Sequence, residues 1–294
     1  MKPKSIMPVL LAISAFARPV SGQAILSGTN YTQTFDQIGS GLPVGWSVRT
    51  NATATNLGTA ALFNTANVSW ATQTGQFGNA AGTTNNLLGI AKGTETSAQQ
   101  GGFTNRGPCV RLTATFGDPG AAFVFQIANT LGFSNLVFSV DLNMLSVQTR
   151  STTWTVDYAV SNLPAVFTAL GTFSDPGVFG TTTQIYSLGA DANNQPQNVW
   201  IRIVALSAAT GTSGSRDTFG IDNFAMNYAG ATSPSLVPLF IRSDGPNTVL
   251  TWNDASFALQ AAPTPAGAFT NIIGATSPFT NALAGPAEFF RLVR

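Results

Sequence analysis

The chain has no histidine, one cysteine and, past residue 4, a single lysine. Each gap closes off a class of chemistry. Without histidine there is no side chain that titrates unperturbed near neutral pH, no Ser-His-Asp triad and no use of the commonest zinc ligand. Cys109 stands alone, so it forms no internal disulfide and anchors no Cys-rich metal site. With no histidine to pair it as a nucleophile, it reads as a small buried hydrophobe. Lys92 is the one lysine outside the first few residues, which leaves no basic patch to neutralise phosphates; nucleic acid is excluded as a partner. Charged residues make up 9% of the chain, against about a quarter in ordinary globular domains. Glutamate occurs twice, as Glu95 and Glu288, and no Glu-x-Asp-x-x-Glu pattern of a sandwich glycosidase is present.

What fills the gaps is Thr, Ser, Asn, Gln and Gly, over a hydrophobic content of 44% in 294 residues. That is enough for two domains and an ample core. A polar but uncharged surface suits an extracellular β-protein that relies on core size rather than disulfides. The N-terminus agrees. Residues 1–24 read as a secretory signal peptide: Lys2 and Lys4 give the positive start and Ile6 to Ala17 the apolar run. Gly22-Gln23-Ala24 offers small residues for cleavage after Ala24. A buried N-terminal helix is the competing reading. Removal of the segment takes away Lys2, Lys4 and Arg18 and moves the formal charge from +1 to −2. No later run is long and apolar enough to span a membrane. The expected location is extracellular, either released or held at the cell surface.

From Asn30 the pattern is strands and turns. Tyr31 to Asp36 is a first strand, Gly39 to Gly45 a turn with Pro43, and Trp46 follows. Residues 51–105 predict short strands, such as Ala61–Phe63 and Leu87–Ala91, between long loops. Trp70 and Phe77 are isolated aromatics there, either plugs under the loops or ligand-stacking platforms. Strands are clearer at Val110–Phe116, Ala121–Ala128, Leu136–Leu142, Trp154–Val160, Val199–Leu206 and Phe219–Tyr228. Leu136, Phe138, Val140 and Leu142 alternate cleanly with Val137, Ser139 and Asp141. Val199–Leu206 is apolar on both faces and reads as a central strand. Helical periodicity is absent throughout, so the fold class is all-β, a sandwich. Residues 230–235 form a small-residue linker. Residues 236–294 form a second unit with candidate strands at Val237–Arg242, Val249–Trp252, Phe257–Ala261, Phe269–Ile272 and Phe289–Val293, and Trp252 as its core residue.

Asp222 lies on the Phe219–Tyr228 strand, on the alternating face shared by Phe224, Met226 and Tyr228. A carboxylate on an apolar face needs a partner, because an unpaired buried charge is too costly to keep. The partner is a cation, an arginine or backbone N–H groups.

Phe35-Asp36, Gly41-Leu42-Pro43-Val44-Gly45-Trp46 and Ile221-Asp222-Asn223-Phe224 resemble the secreted bacterial jelly-roll modules grouped with laminin-G-like, MAM-like and cleaved-adhesin domains. The resemblance covers residues 30–229. In residues 236–294, Leu250-Thr251-Trp252, Leu259-Gln260, Gly274 to Phe279 and Phe289-Phe290-Arg291-Leu292 are similar to a small fibronectin-III-like module. The resemblance implies a jelly-roll β-sandwich plus a small C-terminal β-sandwich module. In several jelly-roll families an acidic residue near the first strand and one on the last share a structural calcium. Asp36 and Asp222 match those positions, with Asn223 as a further ligand. Calcium takes six to eight oxygens, which carboxylates and carbonyls supply. The competing reading has Asp36 capping a turn and Asp222 paired with Arg216 or backbone N–H. Asp217 fits either arrangement.

Three functions follow. The first is a non-catalytic binding or adhesion protein for polysaccharide or a cell-surface glycan, with the Asn- and Gln-rich loops as hydrogen-bonding surface. A row of exposed tryptophans among Trp46, Trp70, Trp154 and Trp200 would mark its platform, and most of them are expected to be buried. The second is a structural or protein-docking component of the cell surface or matrix. The third, a glycoside hydrolase, needs two carboxylates about 5–9 Å apart in a cleft. Asp141 and Asp157 are the pair to consider, and both are more simply surface residues. The reading taken is the first, without catalysis.

Overall fold

A computed structural model describes residues 22–72, 74–85, 89–230, 237–282 and 287–293. The expected signal segment up to residue 21, most of the linker and Leu87 lie outside the described residues. The chain forms two compact units, one ending at Ala231 and the other starting at Thr232. Each is nearly all β.

The first unit opens with β1 (Asn30–Gln33), β2 (Trp46–Thr50), β3 (Thr59–Ala60), β4 (Phe63–Val68), β5 (Gln76–Ala81), β6 (Thr84–Asn85) and β7 (Gly89–Ile90). A five-residue helix, α1 (Ser97–Gly101), precedes β8 (Arg106–Arg111), β9 (Ala122–Ile127) and the long β10 (Phe133–Ser146). Then come β11 (Arg150–Ser151), β12 (Thr153–Val160), β13 (Thr168–Ser174), β14 (Gly180–Ser187), β15 (Val199–Val204), β16 (Thr210–Gly211) and β17 (Thr218–Gly230). One sheet has the order β14-β10-β17-β8-β5-β4, with β1 also paired to β17. The other has the order β13-β12-β15-β9-β2-β3. The two face each other as a sandwich.

The alternation seen in the sequence selects the inner faces. Leu136, Phe138, Val140 and Leu142 of β10 meet Trp154, Val156 and Tyr158 of β12 and Phe123, Phe125 and Ile127 of β9 in one core. Aromatic rings run through it: Trp154 stacks on Phe219 at 4.4 Å, Trp46 on Phe125 at 4.9 Å and Phe138 on Phe224 at 5.3 Å. Offset pairs of this kind add to the effect of the area they bury. As its sequence predicts, β15 is central, lying between β12 and β9 and buried along its whole length.

The outer faces are covered by loops. Trp70, Phe103 and Phe179 close over Ala80, Ala81, Cys109 and Leu145 on the seven-stranded sheet. Trp70 is thus a plug, 2% exposed, and Phe77 belongs to the main core. Cys109 is buried and its thiol is pushed up to about 12 by desolvation, so it stays protonated and inert. On the six-stranded sheet Arg202 pairs with Asp157 at 2.7 Å and donates to the carbonyls of Thr53 and Asn56, which ties residues 51–57 down.

The strand expected at Val110–Phe116 instead runs over Arg106–Arg111. Pro108 makes the sequence read as a turn, since it cannot donate to a ladder. Here β8 pairs with β17 only over Cys109–Arg111, so Pro108 falls where that neighbour asks for no donor. Thr-, Gly- and Asn-rich β4, β5, β13 and β14 have no strong apolar alternation to signal them. Helix α1, absent from the sequence reading, is set by a capping box: the Thr96 hydroxyl accepts from Gln99 N and the Gln99 side chain accepts from Thr96 N.

The second unit holds β18 (Phe240–Asp244), β19 (Asn247–Thr251), β20 (Ala258–Ala262), β21 (Thr270–Asn271), β22 (Phe279–Ala282) and β23 (Phe289–Val293). Two three-stranded sheets, β18-β19-β22 and β21-β20-β23, enclose Leu250, Trp252 and Leu259. Trp252 is the core residue of this unit, as expected. Among the described residues no helix is long and apolar enough to cross a membrane.

Candidate functional site

The chain leaves β1 through Phe35, which adopts φ 59 and whose N–H donates to the Gln33 side chain at 2.7 Å. This sharp exit sets Asp36 against β8, where its Oδ1 accepts from Arg106 N at 3.1 Å. Asp222 arrives from β17. It pairs across the ladder with Asp141 of β10, and the register shifts by one residue between there and the Ser139–Ala225 pair. Asn223, at φ 44, carries the extra residue. The bulge reverses the parity of β17. Phe219 and Ile221 point into the core on one side of it, and Phe224, Met226 and Tyr228 on the other. Asp222 therefore shares the outer face with Asp141, not the face of Phe224 that uninterrupted alternation gives it.

On that outer face Asp222 is 2% exposed. Its Oδ1 accepts from Asn223 N at 2.8 Å. The neighbouring chain is Gly82. A Cβ at Gly82 would stand 2.0 Å from Asn105 Oδ1 and 3.1 Å from Asp222 Oδ2, so two acceptor oxygens converge on a space that only glycine leaves free. Asn105 Oδ1 is buried and has no hydrogen-bond partner. Burial pushes the Asp222 carboxyl up to about 8, and the charges of Asp36 and Asp141 add to this.

Nearby cations are engaged elsewhere. Arg216 pairs with Asp118 at 2.6 Å, not with Asp222, and the Arg106 guanidinium donates to Asn79 and to Gln100 O. Asp36, Asp222 and the orphaned Asn105 Oδ1 offer hard oxygen donors, the type that calcium takes. Asn223 turns its side chain away, with Nδ2 donating to Asp141 Oδ2 at 2.9 Å. Asp217 is not in this cluster; it accepts from Gln148 N and lies near Arg111. Among the described residues no group of three or more His, Cys, Asp or Glu has metal-binding geometry, so a cation here depends on the amide oxygen. Sequence reasoning missed Asn105, because nothing in a Thr-Asn-Arg run distinguishes a ligand from a loop amide.

The other candidates are apart. Trp46, Trp70, Trp154 and Trp200 are all buried, as expected for most of them, and form no platform. Asp157 is held by Arg202 on one sheet, while Asp141 accepts from Thr183 and Asn223 on the other. Glu95 accepts from Lys92 N in the loop before α1, and Glu288 accepts from Asn281 in the second unit.

No described protein family matches the sequence. No curated protein matches it either. Solved structures do resemble the fold. One is the Clostridium thermocellum xylanase 10B fragment holding CBM22-1 and GH10 modules with xylohexaose, with a TM-score of 0.39 and 13% identity. That match covers 69% of this chain and 29% of the xylanase chain. A second is the K1 cleaved adhesin domain of Lys-gingipain from Porphyromonas gingivalis W83, with a TM-score of 0.38, 11% identity, 69% of this chain and 100% of that one. A third is an apo cyclase from Fischerella sp., with a TM-score of 0.36, 12% identity, 76% of this chain and 97% of that one. At these identities the likeness is one of strand arrangement alone.

Proposed function

We propose that this chain is a secreted, non-catalytic binding or adhesion module for polysaccharide or cell-surface glycan, with a sandwich braced by calcium at Asp36, Asp222 and Asn105. One observation carries the reading: three buried carboxyl groups of the sandwich, those of Asp157, Asp118 and Asp175, are committed to holding the scaffold. Asp157 is tied to Arg202, Asp118 to Arg216 and to Ala209 N, and Asp175 to Trp154 Nε1 and Thr152 N. A hydrolase needs two carboxyl groups facing a cleft. These instead fasten the scaffold on which loops can present hydroxyls and amides. Calcium would neutralise Asp36 and Asp222 and satisfy Asn105 Oδ1, fixing β1, β8 and β17 together. The signal-peptide reading supports export, and the fibronectin-III-like resemblance makes the second unit a spacer or docking tag.

The burial of all four sandwich tryptophans favours a second reading, a structural or protein-docking component of the surface or matrix.

The test is a panel of soluble polysaccharides run with the mature protein, scoring retention in native gels and release of reducing ends. Retention without product is the expected result. Product release would overturn the non-catalytic reading. No retention on any glycan would favour docking.

A further inference from the structure

We infer that a neutral, uncharged sugar at a chain end or branch binds in the cleft between β4 and α1; this rests on the glycan-binding reading. The cleft holds about 320 Å³ and is lined by Asn67, Val68, Ser69, Thr72, Gln76, Ser97 and Gly101. That volume is at the small end of the range for ligand pockets and suits a terminal ring rather than a long segment.

Its chemistry is uniform. The lining carries three hydroxyls, two amides and one apolar wall, and no charge. Among the described residues the hydroxyls of Ser69, Thr72 and Ser97 make no hydrogen bond within the protein, which leaves them to donate to and accept from ligand hydroxyls. An acidic sugar would meet no cation in the lining, and a cationic group no carboxylate.

The walls are held in place from behind. Asn67 Nδ2 donates to Gly101 O at 3.2 Å, bridging β4 to the end of α1. Asn67 Oδ1 accepts from Asn79 Nδ2 at 3.3 Å, and Asn79 is clamped by the buried Arg106, whose Nε and Nη2 donate to its side chain and carbonyl at 2.7 Å. The Gln100 side chain accepts from Trp70 N at 2.9 Å and donates to Glu95 O at 2.7 Å, which fixes the turn that carries Ser69 and Thr72 against α1. A cleft whose walls are already ordered loses less entropy when a ligand enters.

Gly101 provides the test. A Cβ there would meet nothing within 4 Å, and its φ is outside the left-handed region, so Gly101→Phe adds a bulky ring to the cleft's lining without straining the fold. Affinity gels carry hydroxyethylcellulose, arabinoxylan, galactomannan or pullulan as neutral probes and polygalacturonate or alginate as acidic ones. The mature protein is expected to be retarded on a neutral gel. Gly101→Phe should abolish retardation while leaving the melting temperature unchanged. The pair Ser69→Ala with Ser97→Ala should weaken binding roughly threefold to tenfold, the loss of one or two hydrogen bonds. Retardation of Gly101→Phe equal to that of the unmodified protein would overturn the cleft and leave glycan binding standing. Retardation on acidic gels alone would also overturn it. Retardation of neither protein on any gel would overturn the glycan reading itself.

Discussion

The space between the two sheets and the outer face of the seven-stranded sheet are built from different material. Between the sheets, Phe123, Phe125, Phe138, Phe219, Phe224, Trp46 and Trp154 pack ring on ring. Under the outer loops, Arg106, Arg111, Asn79, Gln100, Asp222 and Thr218 are buried beside Trp70 and Phe103. The inner region is cohesive through area and has little need of direction. The outer region is held by directed bonds: Arg111 alone donates to Thr218 Oγ1, Ala71 O, Trp70 O and Ser146 Oγ. Area tolerates small changes in proportion to size, whereas a directed network loses a buried partner all at once. The candidate cation site and the cleft both belong to the second kind of construction.

The largest effect is expected at an inner-core ring that also makes a directed bond. Trp154 stacks on Phe219 inside and donates Nε1 to Asp175 at its edge at 2.8 Å. Trp154→Ala should cost about 3–5 kcal/mol by cavity formation, while Trp154→Phe keeps most of the area and loses only the bond to Asp175. Urea denaturation midpoints would show it. Equal losses for the two variants would mean that the hydrogen bond outweighs the ring.

Next is a buried charge on the six-stranded sheet. Arg202 is fully buried, bidentate to Asp157, and its guanidinium lies 3.3 Å from the Phe167 ring centroid. Arg202→Met should cost about 3 kcal/mol, because it strands Asp157. Adding Asp157→Leu should recover most of that loss. Failure of the second change to rescue the first would show that the ties to Thr53 O and Asn56 O, rather than the ion pair, carry the effect.

The third test uses pH. The folded-state values of Asp222 and Asp175 are pushed up, to about 8 and about 7, in both cases chiefly by burial. An unfolded aspartate titrates near 4, so between about pH 4 and pH 8 the folded chain binds more protons than the unfolded one. In chelator, stability should therefore fall as pH rises through that window and level off above it. A calcium ion at the proposed site would favour the ionised Asp222, so it should raise the melting temperature most at pH 8, by about 2–3 kcal/mol in stability at a hundredfold excess over Kd. Asp222→Asn should flatten the upper part of the profile and remove the calcium response. Asp175 would still account for a decline that ends near pH 7. A calcium response that survives Asp222→Asn would place the ion elsewhere.

These two regions were also unequally legible in the sequence. Leu136 to Leu142, Trp154 to Tyr158 and Val199 to Val204 announce the inner core, because a strand buried on one face must alternate and one buried on both must be apolar throughout. The carboxylate at Asp222 was visible as an anomaly on such a strand. Its facing was not, since a one-residue bulge at Asn223 reverses parity without leaving a pattern. Asn105, Gly82, Gln100 and Asn79 act through contacts between segments distant in the chain. Their roles depend on geometry that no local periodicity encodes, and β4, β5 and α1, which frame the cleft, are polar enough to read as loop.

The finest test lies at the border of the inner core. Ala24 is 3% exposed; its N–H donates to Gln126 O and its carbonyl accepts from Ala128 N, both at 2.9 Å. Gly45 makes room for it: at φ 87, a Cβ there would fall 2.7 Å from that of Ala24, and Gly45 N donates to Gly22 O at 2.6 Å. Residues 22–24 are thus a short extra rail along β9. A chain that begins at Gln23 gives up the Gly22 bond but keeps the two that tie Ala24 to β9, and one that begins at Ile25 loses those two backbone bonds and a buried methyl as well. The Ile25 chain should be less stable by about 1–2 kcal/mol in the same urea titration. On the proposed export with signal-peptide removal, the intact mass of the processed chain should then correspond to a start at or before Gln23. A mature start at Ile25 with undiminished stability would mean that the inner core ends at Leu26, and that area alone, without the rail's directed bonds, secures this edge of the sandwich.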